Sequence, residues 1–105
     1  MAWMYLLLAG ACEIGWAFGL KFSEGFTKPA WSVFTAVLMV LSYVLLSQAM
    51  KVIPLGTAYA IWTGIGAAGV AVLGMIFLHE PATWLRIGSL MLIVAGITGL
   101  KLAAP

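Results

Sequence analysis

The chain has 105 residues, of which 65% are hydrophobic and only 8% charged. Soluble domains run at about 45–50% apolar and about 25% charged, so this composition excludes a soluble enzyme, a disordered chain and a collagen-like repeat. The five basic residues are scattered and the net charge is only +2, which excludes a nucleic-acid footprint and leaves an integral membrane protein.

Crossing the hydrocarbon core takes about 20 mainly apolar residues. The first such stretch covers residues 3–20 and is interrupted only by Glu13. Residues 21–29 carry three charges, a Gly and a Pro, and read as a turn. The second span covers 31–50 and is closed by Lys51 and Pro54. The third covers 56–78 and stops at His79-Glu80-Pro81. The fourth covers 84–102, with Arg86 and Lys101 near its ends. One four-helix transmembrane domain, residues 1–105, is therefore expected, its short loops making successive helices antiparallel. Trp3, Trp31 and Trp84 stand at span ends, where amphipathic rings favour the headgroup region; Trp16 and Trp62 do not. The segment Ala9-Gly10-Ala11-Cys12 has a lipoprotein-like pattern, but no Lys or Arg precedes the apolar run, so an uncleaved first helix with Cys12 as a small buried residue is expected. His79, beside Glu80-Pro81, is expected to be solvated. No metal or cofactor is expected.

Orientation follows the Lys and Arg count on short loops. Lys51 and Lys101 fall on one side, Lys21, Lys28 and Arg86 on the other, and the terminal amine nearly removes the difference. Insertion in both orientations and a fixed orientation with a weak signal are both compatible with this balance.

Glu13 lies near the middle of the first span. A charged side chain there costs roughly 2.5–3.5 kcal/mol on insertion scales. No Lys, Arg or His lies at comparable depth, so a salt bridge within one protomer is not expected. The remaining options are a protonated carboxyl, a carboxylate facing water, or a carboxylate meeting an external cation. Loss of hydration favours the neutral form of a carboxyl group, and such a group can exchange a proton for a cation.

Helical spacing places Ala9, Gly10, Trp16 and Ala17 on the face of Glu13. On the third span Tyr59, Trp62, Thr63 and Gly66 share a face; on the second, Thr35, Met39, Ser42 and Tyr43 form a narrow polar stripe. Aromatics at helical spacing are ordinarily core or lipid-facing. Here three polar-tipped faces accompany one buried acid, and a carboxylate is the best acceptor for a Tyr O–H or Trp N–H at that depth. A shared site is expected. Gly64, Gly66 and Gly69 crowd the third span and permit close packing or bending. Ser89 and Gly96, seven apart on the fourth span, form a candidate helix contact. Four helices can barely enclose a polar cavity. A dimer would bring two copies of Glu13 together as one coupled titrating unit, able to hold protons or a cation but not readily both.

Four features together resemble the small multidrug resistance transporters over essentially the whole chain. They are the mid-helix Glu13, Lys21-Phe-Ser-Glu-Gly-Phe-Thr27 in the first loop, Pro54-Leu-Gly-Thr-Ala-Tyr-Ala-Ile-Trp62 leading into the third helix, and Gly64-x-Gly66 after it. The resemblance implies proton-coupled export by an antiparallel, dual-topology homodimer of four-helix protomers, multi-pass in the lipid of the bacterial inner membrane. Glu13-Ile-Gly-Trp16, Met39, Ser42, Trp62-Thr-Gly-Ile-Gly-Ala67 and Lys101 are similar to the guanidinium exporters of that family rather than to its polyaromatic-cation exporters. It further implies that Trp16, Ser42, Tyr59 and Trp62 surround or hydrogen-bond the carboxylate; helical spacing adds Met39, Thr63 and Gly10 to the site lining, and the glycine crowding makes Gly64 and Gly66 the expected bending points of the third helix. The paired-glycine dimer contact of the fourth helix is only half matched, with Ser89 in one place and Gly96 in the other.

The chemistry fits this subtype. Guanidinium is a planar fork of N–H donors that binds a carboxylate bidentately, is weakly hydrated and stacks on aromatic faces. Export of quaternary ammonium or other lipophilic cations is the alternative on the same fold, and a non-transporting membrane subunit is the alternative from another class.

Overall fold

A computed structural model describes residues 1–103. Four helices follow one another: α1 (Ala2–Phe22), α2 (Pro29–Ala49), α3 (Leu55–Phe77) and α4 (Trp84–Ala103). Each is long and apolar enough to cross a membrane. At 1.5 Å per residue the 21 residues of α1 span about 32 Å, which matches a hydrocarbon core of about 30 Å.

The helix ends have local causes. α1 continues through Lys21 to Phe22, because a lysine at a helix end can keep its ammonium in the interface. It is then stopped by Ser23, whose buried hydroxyl donates to the Leu20 carbonyl at 2.7 Å and accepts the Phe26 amide at 3.1 Å. Glu24, Gly25 and Phe26 follow with φ of 49°, 73° and 65°, a left-handed run that glycine tolerates and the other two do not favour. Lys28 and Glu24 pair across this turn at 3.5 Å. α2 begins at Pro29, earlier than the 31 read from hydropathy. Proline at the first helical position loses no hydrogen bond and has the right φ. Before α4, the Thr83 hydroxyl accepts the Arg86 amide at 3.2 Å, a side-chain cap on an otherwise unsatisfied donor.

α1 and α2 form the most extensive pair, followed by α1 with α3. Small residues bring these axes together: Gly15 of α1 faces Leu38 of α2, and Gly19 faces Thr35 and Phe34. The buried core lies toward the loop between α2 and α3, where Leu6, Ala9, Leu46, Ala49, Ala58 and Ile61 pack around Trp62. α4 is an outrigger. It packs on α3 alone among the helices and buries none of its residues. Ile93 and Ile97 cover Gly64, which the sequence marked as a bending point in a helix that here runs on to Phe77. Beyond that contact α3 and α4 diverge around an apolar cleft of about 420 Å³ bounded by Ala68, Val72, Leu90 and Val94. At the α3–α4 connection Glu80 lies against Gly74 and pairs with Arg86 at 2.5 Å. At the opposite end the Lys101 ammonium sits 5.4 Å from the centre of the Trp3 ring. This places the start of α1 and the end of α4 on the same side, as an up-down-up-down order requires. The whole is a slab of 43 × 35 × 17 Å, thin for four helices each about 10–12 Å across.

Candidate functional site

Glu13 is half-buried on α1 and turns toward α3. Neither of the two ion pairs among the described residues involves it: Lys28–Glu24 and Arg86–Glu80 both lie outside the spans or at their ends. Its Oε2 is buried and has no hydrogen-bond partner. One turn further on, the buried Trp16 indole N–H has none either. These are the only two such buried side-chain atoms among the described residues. Buried polar groups are almost always paired, because leaving one unpaired costs its full desolvation penalty. An orphan acceptor and an orphan donor four positions or fewer apart therefore mark this stretch of α1 as the place where a further polar group would be stabilised.

Three helices meet beside it through a hydrogen-bonded chain. The Ser42 hydroxyl of α2 donates to the Ala9 carbonyl of α1 at 2.7 Å and accepts the Trp62 indole N–H of α3 at 2.9 Å. Ser42 and Ala9 are fully buried and Trp62 is nearly so. Ala9 precedes Glu13 by one helical turn, so the chain clamps the backbone that carries the carboxylate. Spacing alone suggested the carboxylate as the acceptor for Trp62, and the family resemblance implied that Ser42 surrounds or hydrogen-bonds the carboxylate. The structure gives the indole N–H to Ser42 and the single Ser42 hydrogen to a backbone carbonyl. A serine hydroxyl has one hydrogen to donate, so in this arrangement Ser42 acts on Glu13 through Ala9.

The other residues read from the sequence divide in two. Gly66 is buried against the Glu13 carboxyl group, and Gly10 is buried beneath Ile65. Met39 is half-buried on α2. Tyr59 is half-exposed, with its ring 5.5 Å from that of Trp62 and tilted edge-on; Tyr43 approaches Trp62 from α2 at 5.9 Å. The three rings wall one side of a recess of about 480 Å³ that also reaches Ser47 and Met50. Thr63 is exposed, and so are Ser89 and Gly96 of α4. The Ser89 hydroxyl bonds back to Leu85 of its own helix, and nothing stands within 4 Å of where a Gly96 β-carbon would be. Thr35, placed in the polar stripe of α2, is buried and returns its hydroxyl to Trp31 at 2.7 Å. The sequence reading missed the Ala9 carbonyl as a partner of Ser42. A backbone group leaves no trace in residue type, so no sequence signal could have named it.

Comparison with known proteins points to one family. The profile of the Small Multidrug Resistance proteins matches residues 1–93. A protein of Salmonella typhimurium (strain LT2) named guanidinium exporter is 56% identical over 104 residues, covering 99% of each chain. The guanidinium exporter of Yersinia pseudotuberculosis is 56% identical over 104 residues, 99% of this chain and all of its own. That of Citrobacter freundii is 52% identical over 103 residues, 98% of each. A match over nearly nine-tenths of the sequence, with relatives of this identity along the full length, means that the chain belongs to the small multidrug resistance family.

Proposed function

We propose that this chain exports guanidinium in exchange for protons, working as an antiparallel homodimer inserted in both orientations in the bacterial inner membrane. The observation that carries the reading is the Glu13 carboxylate oxygen, buried in the middle of a membrane helix with neither an ion pair nor a hydrogen bond to satisfy it. Guanidinium supplies both. Its charge offsets that of the carboxylate, and its paired N–H groups match the two oxygens. Its flat face suits the indole of Trp16 one turn away. The relatives named guanidinium exporters support the choice of cation.

In the proposed cycle protons and guanidinium compete for a pair of Glu13 carboxylates, one from each protomer. Protons neutralise the pair, and guanidinium offsets one of its two charges. A charge inside the hydrocarbon layer is costly, so only the dimer loaded with protons or with guanidinium, and not the empty doubly charged one, exchanges between inward-open and outward-open forms. Two features support a second copy: a single slab 17 Å thick does not enclose a polar cavity, and α4 leaves its outer face, including Ser89 and Gly96, uncovered. The near balance of basic residues across the membrane supports dual insertion. Ser42 and Trp62 brace Glu13 from the side, Tyr59 stands at the rim, and Trp16 supplies a donor and a stacking surface.

The test is selectivity in reconstituted vesicles. Guanidinium uptake is expected to outrun tetramethylammonium uptake by orders of magnitude, because a site whose carboxylate accepts the substrate's N–H groups rejects an analogue that lacks them by up to about 10⁴-fold. Equal uptake of the two cations would favour a quaternary ammonium exporter instead.

A further inference from the structure

Gly66 lies where α3 passes the tip of the Glu13 side chain. A β-carbon built on Gly66 would stand 2.7 Å from each of the two Glu13 carboxyl oxygens and closer still to the carbon between them. No real β-carbon tolerates such contacts. The equal distances mean that the carboxyl group is centred on the missing methyl.

The contacts on either side form an interlocking seam. Ile65 of α3 fills the space over Gly10 of α1, 2.6 Å from where that β-carbon would be, and Ile14 of α1 fills the space over Gly69 of α3. The Glu13 carboxyl is thus bracketed along α1 and α3 by two β-branched side chains, which have few rotamers to give way with. No hydrogen-bond donor orients its Oε2, so shape must fix what hydrogen bonding does not.

We infer that Gly66 is a positioning residue of the cation site: the space left by its absent β-carbon is the seat in which the Glu13 carboxyl group lies. The inference rests on Glu13 being the cation- and proton-binding group. It gives Gly66 a role distinct from bending α3. The atoms that would have to move are the far end of a flexible side chain, not backbone, so an added methyl displaces the carboxyl rather than the helices. Gly69 provides the contrast. It is on the same helix and meets the same partner helix at least as tightly, but its contact is the Ile14 side chain, not the acid.

The experiment uses the purified full-length protein in detergent micelles, with guanidinium binding read by calorimetry and the Glu13 carboxyl titration read by carbon NMR without ligand. Gly66→Ala is expected to weaken guanidinium binding by about tenfold or more, since small displacements of a positioned group are costly. It should also move the Glu13 titration midpoint by at least about half a pH unit. Gly69→Ala should change binding by less than about threefold and leave the midpoint in place. In a Glu13→Asp background, where the carboxyl is one methylene short of the seat, Gly66→Ala should cost less than about threefold further. Equal effects of Gly66→Ala and Gly69→Ala, an unmoved midpoint in Gly66→Ala, or an undiminished penalty in the Asp background would each overturn the inference. If Gly66→Ala does not fold, the seat requires that Glu13→Ala restore it. A Glu13→Ala/Gly66→Ala protein that also fails to fold would overturn the inference too. A wild-type protein that binds no guanidinium defeats the proposed substrate, and the titration arm still decides the seat.

Discussion

Ser42→Ala is the most informative single perturbation of the helix clamp. It deletes one hydroxyl that is 0% exposed and breaks two hydrogen bonds, one of 2.7 Å to Ala9 and one of 2.9 Å from Trp62. The Trp62 N–H is left without an acceptor in the interior of the helix bundle, a penalty of about 1–3 kcal/mol in soluble proteins. Interhelical hydrogen bonds in membranes average about 0.6 and reach about 1.7 kcal/mol, because the unfolded chain in lipid also finds partners. The expected loss of stability is therefore about 1–1.5 kcal/mol, which is roughly a fivefold to twelvefold change in the unfolding constant. Unfolding in mixed dodecyl maltoside and dodecyl sulfate micelles, followed by circular dichroism, measures it. The decisive form is a double-mutant cycle with Trp62→Phe. Phenylalanine loses indole packing in both backgrounds, and that term cancels, while the hydrogen bond is lost only when Ser42 is present. A coupling of about 1 kcal/mol is expected. A Ser42→Ala protein as stable as wild type, or strictly additive single substitutions, would refute the clamp.

Three further outcomes follow from the same geometry. Only the ionised carboxylate holds a cation, so the apparent guanidinium Kd should rise by about tenfold per pH unit below the Glu13 titration and level off above it; a Kd independent of pH would contradict competition. Trp16→Gly removes the flat stacking surface one turn from Glu13, so guanidinium-over-tetramethylammonium selectivity in transport should fall by about tenfold or more while binding persists, and unchanged selectivity would remove Trp16 from the site. Reporters fused at the C-terminus should give signal from both sides of the membrane; signal from one side alone would exclude dual insertion.

Much of the fold was legible because hydrophobic length is a strong constraint in a membrane. Glu13 stood out for the same reason, since a lone acid at mid-span has no ordinary structural explanation. The element ends were less legible. Pro29 reads as a loop residue by composition, yet its fixed φ starts α2, and Lys21 ends an apolar run without ending α1. Periodicity correctly grouped Trp62 with α3 and Ser42 with α2 but could not assign donors to acceptors across helices. The Trp62 indole turned to Ser42 at 2.9 Å, and Ser42 turned to a backbone oxygen. Which neighbour lies over a glycine is likewise tertiary information: Gly64 and Gly66 are two residues apart in one motif, yet one faces Ile97 of α4 and the other the Glu13 carboxyl.

The account rests on Glu13 exchanging protons for guanidinium, and vesicle uptake tests that most directly. Wild-type protein reconstituted with an acidic lumen should accumulate guanidinium and release protons as it does so, with collapse of the pH gradient abolishing accumulation. Glu13→Gln, which keeps the side-chain shape but has no ionisable group, should bind no guanidinium and accumulate none. Proton-driven guanidinium uptake persisting in Glu13→Gln would contradict the account.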